Sequence, residues 1–283
     1  MNELTNKRLF LLDMDGTLYL DDRLFPGAAE FLAKIRQSGG KYLFLTNNSS
    51  KGVDAYVAKM TRLGVPAAPA DFLTSVDALI VFLERTYGAA VKKKKMYVVG
   101  TRSFCAQLAA AGFLLTETPD DDTEILILGF DRELTYRKLE DACRLLVRGG
   151  QKSDARQAKN ALPAVDYYAT NPDWVGPTAF GSVPDCGSMA WMLEKATGRL
   201  PKFIGKPEPE MALLAMAQCG CSAAETLLIG DRLYTDIACG NRAGVDTAFV
   251  LSGEGTLADL AKGQGKPTYI FENIAEVCKA VFG

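Results

Sequence analysis

An α/β fold built on a mostly parallel sheet is what the sequence predicts, and three observations predict it. Short apolar runs alternate along the chain with stretches of helical period, which is the pattern of successive strand–helix units. Several of these runs stop at clusters of Asp, Asn, Thr or Lys, as strands do at the ligand-binding edge of an open α/β sheet. The 283 residues are 48% apolar and 23% charged, enough to bury a core in one large or two modest domains and too apolar for a disordered or fibrous chain.

Taken in order, 9–12 reads as a buried strand, 27–38 as a helix, 42–45 as a second strand, and 54–63 as a helix closed by Gly64. Residues 76–86 form the next helix. The polar run from Gly88 to Lys95 marks a domain boundary, and its four lysines read as a solvated face rather than an anion patch. Beyond it, 96–99 is a strand, 102–111 a helix, 124–128 a strand and 136–147 a helix. Residues 149–164 contain one large aliphatic residue and no aromatic, so they are expected to form a loop. Strand character resumes at 166–169, followed by a helix at 189–197 and a short strand at 203–204. The alternation closes with a helix at 210–219, a strand at 226–229, a helix at 236–243 and a strand at 247–251.

Composition excludes several classes. The chain has no histidine, which removes Ser-His-Asp hydrolases, histidine phosphatases and His-ligated metal sites. Lys plus Arg number 32 against 34 Asp plus Glu, a net charge of −2, so no global field draws the chain to nucleic acid or to an anionic membrane. No stretch approaches the apolar length of a membrane span, and 9–12 is too short for the core of a signal peptide; a cytoplasmic protein is expected. Seven cysteines without a CxxC pair read as free thiols. Cys143 and Arg148 stand one residue too close for a cysteine-phosphatase signature. Gly253-Glu-Gly255 lacks the early strand–turn–helix setting of a dinucleotide site, and no P-loop occurs.

The chemistry lies at four strand ends. Asp13 and Asp15 follow 9–12; residues two apart share one face of a strand, so the two carboxylates project side by side. Such a pair demands a divalent cation, a shared proton, or both. Thr46, Asn47 and Asn48 follow 42–45 with hydroxyl and amide donors suited to phosphate oxygens. Lys206 follows 203–204 as a point charge suited to phosphate. Asp231 ends 226–229, and Asp236 opens the next helix, where capping explains it almost as well as catalysis.

In this order, Asp13-Met-Asp-Gly-Thr-Leu18, Leu45-Thr-Asn-Asn-Ser-Ser50, Gly205-Lys-Pro-Glu-Pro-Glu-Met211 and Gly230-Asp-Arg-Leu-Tyr-Thr-Asp236 resemble the four motifs of the haloacid dehalogenase superfamily of aspartate-nucleophile phosphohydrolases. The segment between the second and third motifs, with Ala169-Thr-Asn-Pro-Asp173, is similar to the NagD or p-nitrophenylphosphatase branch, which carries an α/β cap of the C2 type. The resemblance implies a Rossmann-like core at 1–87 and 185–283, an inserted cap at 88–184 and an atypical polar loop at 149–164 within that cap.

It further implies Mg2+-dependent hydrolysis of a small phosphate monoester. Asp13 would be the nucleophile that becomes aspartyl-phosphate, and Asp15 the acid and then the base. Mg2+ would bind Asp13, the backbone carbonyl of Asp15 and Asp231, with Asp236 supporting Lys206. Thr46, Asn47, Asn48 and Lys206 would hold phosphate oxygens, and the cap residues Asn171, Asp173 and Trp174 would meet the leaving group. The implied partner is a small phosphorylated metabolite, and homodimers through the cap fit the same branch. A phosphotransferase or mutase would use the same Asp13 chemistry toward a second acceptor. A phosphate-binding module without catalysis would be expected to lose one of the four carboxylates, and all four are present.

Overall fold

The computed structural model describes residues 3–148, 162–178, 180–261, 263 and 265–283. Two parallel sheets organise them. The first has six strands, in spatial order Tyr269–Phe271, Asp246–Val250, Thr226–Gly230, Leu9–Leu12, Lys41–Thr46 and Phe72–Thr74. All neighbours run parallel, with Leu9 opposite Thr226 on one side and Lys41 on the other.

The strand Leu9–Leu12 is central and wholly buried, which is why it is a continuous apolar run rather than an alternating one. Its side chains still alternate between faces. Phe10 and Leu12 pack with Phe31 and Ile35 of the helix Ala28–Gln37 and Val277 of the helix Ile274–Phe282. Leu9 and Leu11 face the opposite layer with Ala212 and Ala215 of the helix Glu210–Cys219.

That second layer is shared. Leu79 and Leu83 of the helix Ser75–Tyr87 lie in the same apolar cluster as Met96, Val98, Ile125 and Ile127 of the second sheet. The second sheet has five parallel strands in the order Lys202–Phe203, Asp166–Ala169, Thr123–Leu128, Lys95–Val99 and Leu114–Thr116. Its far face, with Tyr97, Val99, Leu126 and Leu128, packs on the helices Tyr136–Leu146 and Cys186–Thr197. An antiparallel hairpin, Val175–Thr178 with Gly181–Pro184, leads into the latter helix.

One expectation is corrected. The return to the first sheet comes after Phe203 and not at 185, because Met189, Ala190 and Leu193 pack in the far-face cluster and Lys202–Phe203 pairs with Tyr168–Ala169. The strand leading to Lys206 therefore belongs to the second sheet, so the site combines three strand ends of one sheet with one of the other. Of the lysine run, Lys92, Lys94 and Lys95 each hold a carboxylate, those of Glu84, Glu124 and Asp120. The polar loop expected at 149–164 lies, except for 162–164, outside the described residues. No described helix is long and apolar enough to cross a membrane, and all seven cysteines are free thiols.

Candidate active site

Asp13 leaves the central strand with its main-chain N–H still donating to Ile229 in the neighbouring strand, at 2.9 Å, so its carboxylate starts from a fixed point. The strand Thr226–Gly230 delivers Asp231 beside it. Thr17 ties the two together, its hydroxyl 3.4 Å from Oδ2 of Asp13 and 3.2 Å from Oδ1 of Asp231. The main-chain N–H of Glu254 donates to the other oxygen of Asp231 at 2.7 Å.

The turns that hold Asp231 require glycine. Gly16 adopts φ +89°, and a Cβ on either Gly16 or Gly253 would overlap the Asp231 carboxylate. The glycines of Gly253-Glu-Gly255 thus make room for an acid of the site.

Lys206 is buried at the focus of the arrangement. Its Nζ lies 2.6 Å from Oδ1 of Asp13, 2.6 Å from Oδ1 of Asp236 and 3.2 Å from the carbonyl of Leu45. Burial alone would lower the pKa of this ammonium, but Asp13 and Asp236 together hold it above the ordinary lysine value. The acids feel the opposite pressure. Burial pushes Asp13 up to about 6 against the pull of Lys206, and burial with the neighbouring Asp236 pushes Asp231 up to about 6. Carboxylate oxygens of Asp13, Asp231 and Asp236 come within 4.8 Å of one another, an acidic set, buried at Asp231 and Asp236 and half-buried at Asp13, able to hold a cation. Asp236 is already engaged on both oxygens, by Lys206 and by the main-chain N–H of Arg232 at 3.1 Å. Its geometry is that of a support for Lys206.

Asp15 turns toward the cleft, where Nζ of Lys59 and the Tyr19 hydroxyl each stand 3.4 Å from its carboxylate. Thr46 accepts the main-chain N–H of Asn48, and Asn48 accepts both the N–H and the hydroxyl of Ser50. Asp13, Asp15, Thr46, Asn48 and Lys206 all line one cleft of about 630 Å³. Ala55, Ala58, Lys59 and Arg62, one face of the helix Val53–Arg62, form one wall, and Phe130, Arg132, Pro177 and Thr178 form the wall contributed by the second sheet's body.

Three residues expected to meet ligand have their side chains engaged within the protein, although Asn47 and Asp173 also line the cleft. The Asn47 amide gives one hydrogen to the Lys206 carbonyl at 2.8 Å and one to Asp173 at 2.7 Å, while its oxygen accepts the Lys206 N–H at 2.9 Å, so this side chain has nothing left to offer phosphate. Asn171 is fully buried and gives its hydrogens to Asp173 and Asp185. The Asp173 carboxylate is held by Asn47, Asn171 and Arg232. Trp174 stacks on Trp191 outside the cleft, with ring centroids 5.7 Å apart. Sequence reasoning misses Arg232, although it sits inside the fourth motif: it lines the cleft and pairs with both Asp173 and Glu254.

Asp185 adds a testable charge. Burial, then the nearby Asp173, pushes its carboxyl up to about 7 from the ordinary 3.8. A carboxyl raised in this way favours the fold while protonated, and that contribution is lost as pH rises through the folded value. Asp185→Asn keeps the oxygen that caps the helix Cys186–Thr197 and cannot ionise. Its melting temperature is expected to match the wild type near about pH 3, to pull ahead as pH rises between the ordinary 3.8 and the folded value of about 7, and to exceed the wild type by several degrees near about pH 8. The same difference at both pH values would contradict a buried, raised Asp185.

Known proteins show the same arrangement of chain. The family model described as haloacid dehalogenase-like hydrolase matches residues 10–114, and the one described as HAD-hydrolase-like matches 203–277. The crystal structure of 4-nitrophenylphosphatase from Thermotoga maritima superimposes with a TM-score of 0.86 at 35% identity, covering 99% of this chain and 100% of that one. Dihydroxyacetone phosphatase from Corynebacterium glutamicum is 32% identical over 95% of this chain and 90% of its own length. Glycerol phosphate phosphatase from Mycobacterium tuberculosis, solved in complex with magnesium, has a TM-score of 0.83 at 28% identity, with 98% of this chain and 78% of that one covered.

Proposed function

The chain belongs to the haloacid dehalogenase-like hydrolases and is a phosphatase, and on that premise we propose that it hydrolyses small phosphate monoesters of the triose and polyol class through a covalent phosphoryl-Asp13 intermediate, with Mg2+ as its metal. The observation that carries this reading is the half-buried Asp13 carboxylate at the end of the central strand, 2.6 Å from Lys206 and open to the cleft.

A lone pair on an Asp13 carboxylate oxygen attacks phosphorus and the bond to the ester oxygen breaks. Asp15 gives its proton to the departing alkoxide, then takes one from the water that attacks the phosphoryl-Asp13, which returns Asp13 and releases inorganic phosphate. The Thr46 hydroxyl and the Asn48 amide hold the non-bridging oxygens, positioned before the reaction begins, and Lys206, whose three N–H groups go to Asp13, Asp236 and the Leu45 carbonyl, offsets their negative charge from beside Asp13. Lys51, Lys59, Arg62 and Arg132 line the cleft and draw the anionic substrate in.

The residues fit a divalent cation. Burial raises the carboxyls of both Asp13 and Asp231, Asp13 against the pull of Lys206 and Asp231 with the added push of Asp236, and each keeps lone pairs beyond its protein bonds for a cation. Held by these two acids, Mg2+ supplies the positive charge that offsets repulsion between a phosphate dianion and the Asp13 carboxylate.

Chelation should abolish phosphate release and added Mg2+ restore it. Because the ion binds only the folded acids, it should also raise the melting temperature, by the equivalent of about 2.7 kcal/mol at a hundredfold excess over Kd. Full activity in chelator would remove the metal from the proposal. The substrate class is tested by phosphate release from dihydroxyacetone phosphate, glycerol phosphate, nucleoside monophosphates and p-nitrophenyl phosphate. The two three-carbon esters are expected to show the highest kcat/KM among the metabolites, and a preference for nucleotides would overturn the class.

A further inference from the structure

Asp173 belongs to the second sheet's body, just beyond the strand Asp166–Ala169, yet two of its three donors come from the first sheet's catalytic edge. Oδ1 accepts from Nη1 of Arg232 at 2.9 Å, and Oδ2 accepts from Nδ2 of Asn47 at 2.7 Å and from Nδ2 of its own neighbour Asn171 at 2.7 Å. The Asp173 and Arg232 side chains are only 3% and 14% exposed, so the charge-assisted bond between them is shielded from water.

Both donors lead on to Lys206. Asn47 grips its main chain at N and O, and Nζ of that lysine rests on Asp13. The main-chain N–H of Arg232 steadies Asp236, whose other oxygen takes the same Nζ. A carboxylate suits this place because it accepts without donating and has lone pairs for three converging N–H groups. An amide there would turn its own N–H2 against them.

We propose that Asp173 is a positioning residue, a latch that fastens the second sheet's body to the catalytic edge through Asn47 and Arg232 and thereby fixes Lys206 against Asp13, without touching substrate. The assignment rests on the phosphatase reading for its kinetic consequence but not for its structural one, and the two are tested separately.

Asp173→Asn is expected to lower kcat by about 100-fold, the scale of a small misplacement of catalytic groups, with KM little changed and the same loss for p-nitrophenyl phosphate and dihydroxyacetone phosphate. The double variant Asp173→Asn, Arg232→Gln should lose no more than the worse single one, since each breaks the same link. In the protein without substrate, hydrogen exchange at the Lys206 N–H should quicken while the strand Asp246–Val250 exchanges as before. A KM change that depends on the leaving group would make Asp173 a substrate contact and overturn the latch, as would multiplying losses or unaltered exchange at Lys206. If Asp173→Asn does not fold, Arg232→Lys, which keeps the charge but loses the planar fork, is put through the same readouts, and wild-type kcat would overturn the proposal. A wild-type protein that releases no phosphate would refute the phosphatase reading and leave the exchange result to decide the latch.

Discussion

Asp13→Asn is expected to lower kcat by on the order of 10⁵-fold or more while leaving the fold intact, because it removes the group to which phosphorus is transferred. The substitution is nearly isosteric. Lys206 keeps Asp236 and the Leu45 carbonyl as partners, so no buried charge is stranded. Burial already raises the Asp13 carboxyl to about 6, and a neutral amide at that place escapes the desolvation that raises it. The variant should therefore melt no lower than the wild type in the absence of metal. Near-normal turnover by a folded Asp13→Asn protein would take the nucleophile's role away from Asp13.

Asp15→Asn separates the two halves of the reaction. The overall kcat should fall by about 10²- to 10⁴-fold, the usual range for loss of a general acid–base group. The two steps should not suffer equally. p-Nitrophenolate is a good leaving group and needs little protonation, so transfer to Asp13 continues, while water attacking the phosphoryl-Asp13 loses its base. Mixing with p-nitrophenyl phosphate is thus expected to give a burst of about one p-nitrophenolate per active site followed by a slow phase. With a sugar or polyol phosphate, whose alkoxide leaves poorly, no burst should appear. A uniform slowing with no burst for either substrate would place Asp15 outside the acid–base role. Its partners Lys59 and Tyr19, each at 3.4 Å, are close enough to hold it in place for both steps.

The acids and the lysine of the site are legible in the sequence because each stands just after a recognisable strand. Leu9–Leu12 and Leu227–Ile229 within Thr226–Gly230 are unbroken apolar runs buried on both faces, and the residue that ends such a run must emerge at a sheet edge. Three-residue strands carry no such signal: Phe72–Thr74, Leu114–Thr116 and Tyr269–Phe271 escape a reading of the sequence, as does the terminal helix Ile274–Phe282. The helix Cys186–Thr197 is assigned to the wrong sheet from sequence because an amphipathic helix shows that it has an apolar face and not which sheet receives it.

Side-chain commitments are the least legible. Asn47 and Asn171 have the composition of phosphate ligands, but their hydrogens go to Lys206, Asp173 and Asp185, partners set by tertiary packing rather than by local spacing. Arg232 stands in plain view between Asp231 and Asp236, yet the partner that gives it meaning, Asp173, lies 59 residues away.

The claim on which the rest depends is that the phosphoryl group passes through Asp13. Acid quenching during steady turnover of p-nitrophenyl phosphate, followed by peptide mass spectrometry, measures this directly, with Asp15→Asn used to accumulate the intermediate. The peptide containing Asp13 is expected to gain one HPO3, lost on treatment with hydroxylamine and absent from Asp13→Asn. An active enzyme whose Asp13 peptide stays unmodified, or a label carried by any other residue, would contradict the account.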